Sequence, residues 1–356
     1  MSLDSVLATR IRQSGPMSVA DFMADCLLHP RWGYYVTRDP LGAAGDFTTA
    51  PEISQMFGEL IGLCLAQTWM DQGRPASFTL AELGPGRGTL MADLLRATSI
   101  VPGFLDAAGI ALVEASPVLR AAQKRALAGH DVRWLDRADA LPDDRPLFVV
   151  ANEFFDALPI RQFLRDGGGW RERLIGLRDG ALCFGLGARA AQPALGHRLD
   201  DTQEGDLVEI CAAAGPVADA LARRIAARGG AALIVDYGDW RSLGDTLQAM
   251  RGHRHADILA DPGAADLTAH VDFETLATAA RAAGAAHSRL TTQGVFLERL
   301  GIAARAQALA ARLSGPARDE PASAHRRLTH GDEMGNLFKV LGVFPPHAAP
   351  PPGLDA

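Results

Sequence analysis

A glycine-rich turn between an apolar run and an amphipathic segment is the strongest candidate for a ligand site. The run from Phe78 to Leu83 is typical of a buried strand, and Thr89 begins a segment with helical periodicity. Between them the chain reads Glu82-Leu83-Gly84-Pro85-Gly86-Arg87-Gly88. Glycines at such a turn let a ligand approach the backbone, because no Cβ stands in the way. The spacing departs from the dinucleotide pattern G-x-G-x-x-G, whose third glycine would fall at Thr89.

The order acid-x-G-x-G-x-G resembles the first motif of class I S-adenosylmethionine-dependent methyltransferases. This resemblance implies S-adenosyl-L-methionine as the cofactor. The residues expected to hold it here are Glu82, Gly84, Pro85, Gly86 and Gly88. A glycine turn that serves only to reverse the chain is the alternative, and further signals in the expected order favour the cofactor site.

Acidic residues follow the next two predicted strands. Glu114 comes directly after the apolar run 110–113, and its carboxylate suits a ribose diol because it can accept both hydroxyl protons. An acid near the cap of the following helix is the alternative interpretation of Glu114. Asp136 follows the run 132–135 and is a weaker candidate for the adenine side of the cofactor.

A polar and aromatic segment follows the fourth predicted strand, residues 147–151. It reads Asn152-Glu153-Phe154-Phe155-Asp156. Ligands of open α/β sheets bind beyond the carboxyl ends of the strands. We therefore expect this segment to line the same crevice as the glycine turn and to supply the catalytic groups.

The chain before the glycine strand has helical patterns at 3–13, 19–28 and 53–70. A second small-residue segment, 45–54, lies between the last two and is expected to close over the cofactor as a lid. A static linker is the alternative interpretation. The residues of this segment expected to contact the cofactor are Gly45, Asp46, Thr48 and Thr49.

The pattern of strands and helices predicts three segments. Residues 1–75 form an N-terminal helical layer with the lid, 76–343 an α/β methyltransferase domain, and 344–356 a proline-rich flexible tail. Two insertions interrupt the domain. Short alternating strands with glycine turns at about 161–205 predict an antiparallel β insertion, and low periodicity at 239–270 predicts a long loop. The predicted fold class is α/β, with a class I Rossmann-like sheet.

Composition excludes several classes of protein. The net charge of −7 argues against a nucleic-acid partner, which requires clustered Lys and Arg. The four cysteines lie far apart, which predicts reduced thiols and neither a disulfide framework nor a metal site. No apolar stretch is long enough to span a membrane, and no secretory signal is evident. The sequence contains no signal for an oligomeric state.

Several segments together resemble the MidA family of methyltransferases. They are the stretches 45–62, 82–90, 152–159 and 236–238, with support from 267–273 and 292–297. The resemblance extends over nearly the whole chain apart from the tail and the first insertion. It implies the class I fold, bound S-adenosyl-L-methionine, and a protein substrate such as an arginine of a respiratory complex I core subunit. No mitochondrial presequence is evident, so we expect a bacterial cytoplasmic protein.

An arginine acceptor assigns roles to the segment after the fourth strand. A carboxylate can hold a guanidinium by paired hydrogen bonds and keep its charge away from the attacking nitrogen. Glu153 is the first candidate for this role, with Asp156 and Asn152 beside it. The alternative for Asp156 is that it caps a turn.

Two other functions stay open at this point. The first is methyl transfer to a different acceptor, since Asn152 and Phe155 loosely match a motif of nucleic-acid amino methyltransferases. Glu153 and Phe154 replace both prolines of that motif, and the acidic charge opposes it. The second is an assembly chaperone that binds the cofactor and transfers nothing, which the fold alone does not exclude.

Overall fold

The computed structural model describes residues 2–37 and 48–356, which form two compact units. The first unit is built from three stretches of chain: Met1–Phe47, Asp156–Ala214 and Arg241–Asp272. The second is built from Thr48–Phe155, Gly215–Trp240 and Phe273–Ala356. The N-terminal helices thus share a unit with both insertions, a grouping that local sequence patterns do not reveal. Gly45 and Asp46 lie outside the described residues.

The second unit contains a mixed sheet whose central strands are parallel. In spatial order its main strands are Ala286–His287, Phe338–Phe344, Gly230–Asp239, Leu147–Asn152, Phe78–Leu83, Ala108–Val113 and Val132–Leu135. The last five in this order pair in parallel, whereas Phe338–Phe344 runs antiparallel to its neighbours and also pairs with Thr291–Thr292. Parallel strands that are covered on both faces are apolar throughout, so the sequence predicts them as continuous apolar runs. The predicted Rossmann-like sheet is confirmed.

Helices cover this sheet. The α-helices are Ala50–Ile53, Gln55–Asp71, Thr89–Thr98, Phe104–Ala107, Pro117–Ala126, Ala214–Arg228, Phe273–Ala282, Gln293–Arg299, Ile302–Ala310, Glu320–Thr329 and Met334–Leu337, and 3₁₀ turns lie at Ala138–Ala140 and Gly315–Asp319. The core of the unit forms where their apolar faces meet fully buried strand residues such as Phe78, Phe148 and Leu233. This packing holds the carboxyl ends of the strands in place.

Two glycines let helix Gln55–Asp71 pack closely on helix Thr89–Thr98. A Cβ added at Gly58 would lie 2.9 Å from the Leu90 carbonyl oxygen, and one added at Gly62 would lie 2.8 Å from Leu94 Cγ. Real Cβ atoms do not approach so closely, so the two backbones meet only because these side chains are absent. Helix Thr89–Thr98, which follows the glycine turn, is therefore held in place by its close contact with helix Gln55–Asp71.

We expect Gly58→Ala to lower the free energy of unfolding by about 1–3 kcal/mol, because the methyl group must push the two helices apart. Alanine is intrinsically the better helix former by about 1 kcal/mol, so a loss of stability reports the contact and not the propensity. Gly215→Ala is the matched control, since the nearest described atom to its Cβ would be Thr275 Cγ2, at 4.0 Å. Chemical denaturation checks both variants. A Gly58→Ala protein as stable as the control contradicts the close packing.

The first unit is antiparallel, as predicted for the first insertion. In its described residues, one sheet has the order Met17–Ser18, Gly169–Arg178, Ile160–Asp166 and Leu207–Cys211, with Ala181–Ala190 paired to Gly169–Arg178. Its helical elements are Leu3–Ser14, Val19–Leu28, Tyr34–Thr37 and the 3₁₀ turn Pro193–Leu199. Helix residues Leu7 and Phe22 are fully buried in a cluster with Ile160 and Ile175. The N-terminal helices therefore add a second core to the insertion, whose own buried cluster contains Phe163 and Trp170.

The predicted loop 239–270 contains a small sheet instead. Its strands are Arg254–Ala256, Gln248–Arg251 and Asp266–Thr268. Gly252 and His253 connect the first two with φ angles of 58° and 60°, as in a two-residue hairpin turn. The strands are three or four residues long, too short to show a reliable alternation in sequence.

The tail also differs from the expected flexible segment. Leu354 is buried, the Cys64 thiol donates to the Pro352 carbonyl (3.4 Å), and the Arg289 amide donates to the Asp355 carbonyl (2.9 Å). Leu354 fits against Gly342, where a Cβ would lie 2.6 Å from Leu354 Cδ1. The tail also turns where its proline content predicts extended backbone, because the amides of Ala348 and Leu354 donate to the carbonyls of Pro345 (3.0 Å) and Pro351 (3.2 Å).

Candidate active site

The glycine turn has a backbone that only glycine adopts readily. Gly84, Gly86 and Gly88 have φ angles of 62°, 53° and 86°, all in the left-handed region. The Gly84 amide donates to the Val113 carbonyl (3.0 Å) and the Gly88 amide to the Pro85 carbonyl (2.7 Å). These bonds fix the turn at the carboxyl end of strand Phe78–Leu83, where ligands of such sheets bind.

The segment after the fourth strand contacts this turn, as predicted. Leu83 pairs with Ala151 in the parallel ladder, so both strands end side by side. Phe154 packs over Gly84, and a Cβ added there would lie 3.0 Å from Phe154 Cδ2. Phe154 and Phe155 meet edge to face, with ring centroids 5.2 Å apart. The glycine turn and the candidate catalytic segment therefore form one continuous surface.

Glu153 is held in an unusual conformation. Its φ of 51° is left-handed, which costs a non-glycine residue about 1–2 kcal/mol. The Asp236 carboxylate compensates, because its Oδ2 accepts from the amides of Phe154 (3.2 Å) and Phe155 (3.0 Å), and its Oδ1 from Tyr237 (3.0 Å). Asp236 is fully buried on the neighbouring strand Gly230–Asp239, directly after the last residue that pairs with Leu147–Asn152. Sequence reasoning recorded the Asp236-Tyr237-Gly238 motif but not this clamp.

The Glu153 carboxylate meets the short helix Ala50–Ile53. Its Oε1 accepts from the Ala50 amide (3.3 Å) and from Asn152 Nδ2 (3.0 Å). On the same helix, Glu52 Oε1 accepts from Thr89 Oγ1 (2.5 Å). One turn of helix is thus tied to both the candidate catalytic strand and the glycine-motif helix. The predicted cofactor contact Thr49 is the residue before this helix, and Thr48 precedes it, half-buried.

Glu114 lies at the end of strand Ala108–Val113, at the predicted position. Its Oε1 accepts from the Ser116 amide (2.7 Å) and its Oε2 from Gln123 Nε2 (3.1 Å). Burial raises the pKa of Glu114, while these hydrogen bonds oppose that rise. Sequence reasoning missed Gln123, although it lies four residues after Leu119 on the buried face of its helix. The signal in the sequence is a polar glutamine on the apolar face of a predicted helix.

Asp136 lies at the edge of the site. Its side chain is 83% exposed, and its Oδ1 accepts from Arg120 Nη2 (2.6 Å). Arg120 Nε also donates to the Glu114 carbonyl (2.7 Å). Asp136 thus supports the loop that carries Glu114, and a direct contact between Asp136 and adenine stays a prediction.

Two buried oxygens at the strand ends lack hydrogen-bond partners within residues 2–37 and 48–356. They are Glu82 Oε2 and Asn152 Oδ1, which belong to neighbouring strands. A buried acceptor without a donor costs about 1–3 kcal/mol, so each is suited to receive a donor from a ligand. A ligand that carries an ammonium group and hydroxyls supplies such donors. Burial, with a smaller contribution from the Glu114 charge, raises the pKa of Glu82 to about 8.

This pKa predicts how stability changes with pH. The ordinary value of 4.5 applies to the unfolded chain, so between pH 4.5 and about 8 the folded protein holds a proton that the unfolded chain releases. Below pH 4.5 Glu82 therefore does not change the free energy of unfolding, and between pH 4.5 and about 8 it lowers this free energy as the pH rises. Without cofactor, we expect Glu82→Gln to raise the melting temperature more at pH 8 than at pH 5. The exposed Glu320→Gln is the control, and an equal change at both pH values contradicts the burial of an acid.

Asp156 is the first residue of a stretch assigned to the first unit, whereas Asn152 and Glu153 belong to the second. Its side chain is buried and its carbonyl accepts from the Ala269 amide (3.0 Å). Nearby, Tyr35 donates its hydroxyl to Asp266 Oδ2 (2.9 Å). Burial, followed by the charges of Asp266 and Asp156, raises the pKa of Tyr35 well above its ordinary value. Whether Asp156 acts with Glu153 stays a prediction.

Comparison with known proteins identifies the family. Residues 60–291 match a family model described as "Putative S-adenosyl-L-methionine-dependent methyltransferase". A mitochondrial protein arginine methyltransferase NDUFAF7 from Danio rerio is 39% identical over 364 residues, which cover 95% of this chain and 86% of the relative. The human protein of the same name is 35% identical, with coverage of 95% and 82%. The chain belongs to this methyltransferase family.

A solved structure agrees with this membership. A COG1565 superfamily protein from Burkholderia thailandensis, bound to S-adenosyl-homocysteine, superposes with a TM-score of 0.83 at 31% identity. The match covers 99% of this chain and 92% of that protein. This methyltransferase therefore uses S-adenosyl-L-methionine as its cofactor. The left-handed glycine turn and the two buried acceptors fit that cofactor, which carries an ammonium group and a ribose.

Proposed function

We propose that this methyltransferase transfers a methyl group to an arginine side chain of a protein, with Glu153 as the carboxylate that binds the guanidinium. The names of the relatives at 35–39% identity support the arginine acceptor. The observation that carries the proposal is the left-handed Glu153, clamped by Asp236 beside the glycine turn. Backbone strain of this kind persists where the surrounding structure enforces it, commonly at functional sites.

The chemistry explains why a carboxylate is needed. When bound, S-adenosyl-L-methionine supplies an electrophilic methyl group on a sulfonium. A guanidinium has a pKa above about 12 and offers no free lone pair at neutral pH. In our proposal the Glu153 carboxylate accepts hydrogen bonds from the guanidinium and draws its positive charge towards itself. The guanidinium nitrogen that receives the methyl group then becomes a better nucleophile, and Phe154 shields it from water on one side. As the new N–C bond forms and the C–S bond breaks, S-adenosyl-homocysteine leaves and one N–H proton of the guanidinium passes to the Glu153 carboxylate.

The surroundings of Glu153 suit this role. The Ala50 amide and Asn152 Nδ2 both donate to Glu153 Oε1. Two donors on one carboxylate oxygen are compatible with an ionised Glu153. In this proposal Asn152 orients the carboxylate by one hydrogen bond while its own Oδ1 faces the cofactor site. Glu82, the glycine turn and Glu114 would hold the cofactor, with Thr48, Thr49 and Asp136 at the margin.

The family resemblance suggests a specific acceptor. We propose an arginine of a respiratory complex I core subunit, methylated in the bacterial cytoplasm before the subunit is assembled. The acidic net charge of −7 is compatible with a basic acceptor segment.

Two measurements test this function. Purified protein is incubated with methyl-labelled cofactor and extract from a strain that lacks the gene, and labelled proteins are identified by mass spectrometry with fragmentation at arginine. We expect label on arginine of a complex I subunit with wild-type protein and none with Gly86→Val. Label on another residue type overturns the arginine acceptor, and label on another protein overturns the complex I substrate. Intact cofactor binding without any transfer indicates an assembly chaperone.

A further inference from the structure

Gln123 connects three parts of the cofactor site. It is fully buried on helix Pro117–Ala126 and uses both ends of its amide. Its Nε2 donates to the Gly86 carbonyl (2.8 Å) and to Glu114 Oε2 (3.1 Å), while its Oε1 accepts from Trp134 Nε1 (2.9 Å). The side chain thus joins the glycine turn, the acid after the second strand and the third strand.

These three bonds leave Gln123 one orientation. The indole N–H of Trp134 is only a donor, so it must meet the amide oxygen. The amide nitrogen is then directed at Gly86 and Glu114, both of which are acceptors. The two backbones also lie close together, since a Cβ added at Gly88 would lie within van der Waals contact of Gln123 Cα, at 3.4 Å. Trp134 therefore determines which end of the amide faces the site.

We infer that Gln123 is a positioning residue, which holds the Glu114 carboxylate and the glycine turn at one fixed spacing so that Glu114 can receive the ribose diol. This inference rests on the proposed role of Glu114 and is independent of the methyl acceptor. A hydrogen bond to a charged group contributes about 1.5–3 kcal/mol, which corresponds to roughly tenfold or more in affinity.

The test compares two ligands in the whole protein. S-Adenosyl-homocysteine and its 2′-deoxyadenosine analogue are titrated by calorimetry into wild type, Gln123→Met, Glu114→Gln and the double variant. Methionine keeps the length of the side chain and removes its hydrogen bonds. The matched control is Gln307→Met, the same substitution at an exposed helical position.

We expect Gln123→Met to weaken S-adenosyl-homocysteine about tenfold and the 2′-deoxy analogue distinctly less. In the double variant the loss should not exceed that of Glu114→Gln alone, because both substitutions remove the same function. Equal weakening of both ligands by Gln123→Met, or additive losses, means that Gln123 is merely structural. If Glu114→Gln itself fails to discriminate between the ligands, the role of Glu114 is wrong and the inference falls with it.

A pH profile provides a second readout. Without the Gln123 hydrogen bond, the pKa of Glu114 should rise further. As the pH is lowered, Glu114 is then protonated earlier, so the variant should lose S-adenosyl-homocysteine at a higher pH than wild type does. The charged groups that act on Glu114 are Glu82 and Arg120, and both are unchanged in the variant. If Gln123→Met does not fold, Trp134→Phe replaces it. This variant keeps the glutamine and removes the hydrogen bond that fixes its orientation. It should also weaken S-adenosyl-homocysteine more than the 2′-deoxy analogue, by a smaller factor than Gln123→Met. Equal weakening of the two ligands overturns the inference.

Discussion

Glu153→Gln is expected to bind S-adenosyl-L-methionine with near wild-type affinity and to lose methyl transfer by about 10²-fold or more. The amide keeps the shape of the side chain and can adopt the same left-handed backbone, but it removes the charge that the acceptor guanidinium requires. The amide of Ala50 and Nδ2 of Asn152 would still find an acceptor in the new side chain. The loss should therefore appear in kcat and not in cofactor affinity.

Calorimetry for the cofactor and single-turnover transfer to the labelled acceptor separate these quantities. Glu320→Gln, at an exposed position, provides the control for removal of one carboxylate. Near wild-type turnover in Glu153→Gln would rule out the catalytic role. A parallel loss of cofactor binding would instead assign Glu153 to the cofactor site.

Gly86→Val is expected to abolish cofactor binding in a protein that still folds. At a φ of 53° a β-branched residue is strongly disfavoured, so the substitution must shift the turn that we expect to hold the cofactor. The carbonyl of Gly86 is also the acceptor for Gln123, so a shifted turn disturbs both. We expect no measurable heat of S-adenosyl-homocysteine binding at concentrations that saturate wild type.

Gly129→Val separates backbone strain from loss of the site. Gly129 has a φ of 96°, and no atom of residues 2–37 and 48–356 lies within 4 Å of its Cβ position, so the substitution imposes similar strain at an exposed turn. This control should lose stability and keep cofactor affinity. If a folded Gly86→Val protein binds the cofactor normally, the glycine turn is not the cofactor site.

Much of the second unit was predictable because its information is local. Each parallel strand is a short apolar run, and each is followed by a residue type with obvious chemistry, such as Gly84 or Glu114. The rule that ligands bind at the carboxyl ends of such strands then placed the Glu153 segment beside the glycine turn, as the Phe154 contact confirms.

The rest depends on partners far away in the chain. The left-handed Glu153 requires Asp236, more than eighty residues later, and nothing local to either residue signals the other. Gln123 is a helix residue whose importance appears only when Trp134 and Gly86 surround it. Likewise, the spacing of Gly58 and Gly62 is visible in the sequence, but their partner helix is not. Residue type predicts chemistry here, and only the tertiary structure shows which groups cooperate.

The interrupted first unit affects how the protein folds during synthesis. Its core joins Leu7 and Phe22, near the start of the chain, to Ile160, Ile175 and Leu267. At roughly 5–20 residues per second, the ribosome needs on the order of 10 to 50 s between the N-terminal helices and the last of these residues. During this delay the cluster that helices Leu3–Ser14 and Val19–Leu28 form with Ile160, Ile175 and Leu267 stays incomplete. The nascent chain should therefore depend on chaperones that shield the apolar faces of its first helices until this cluster is complete.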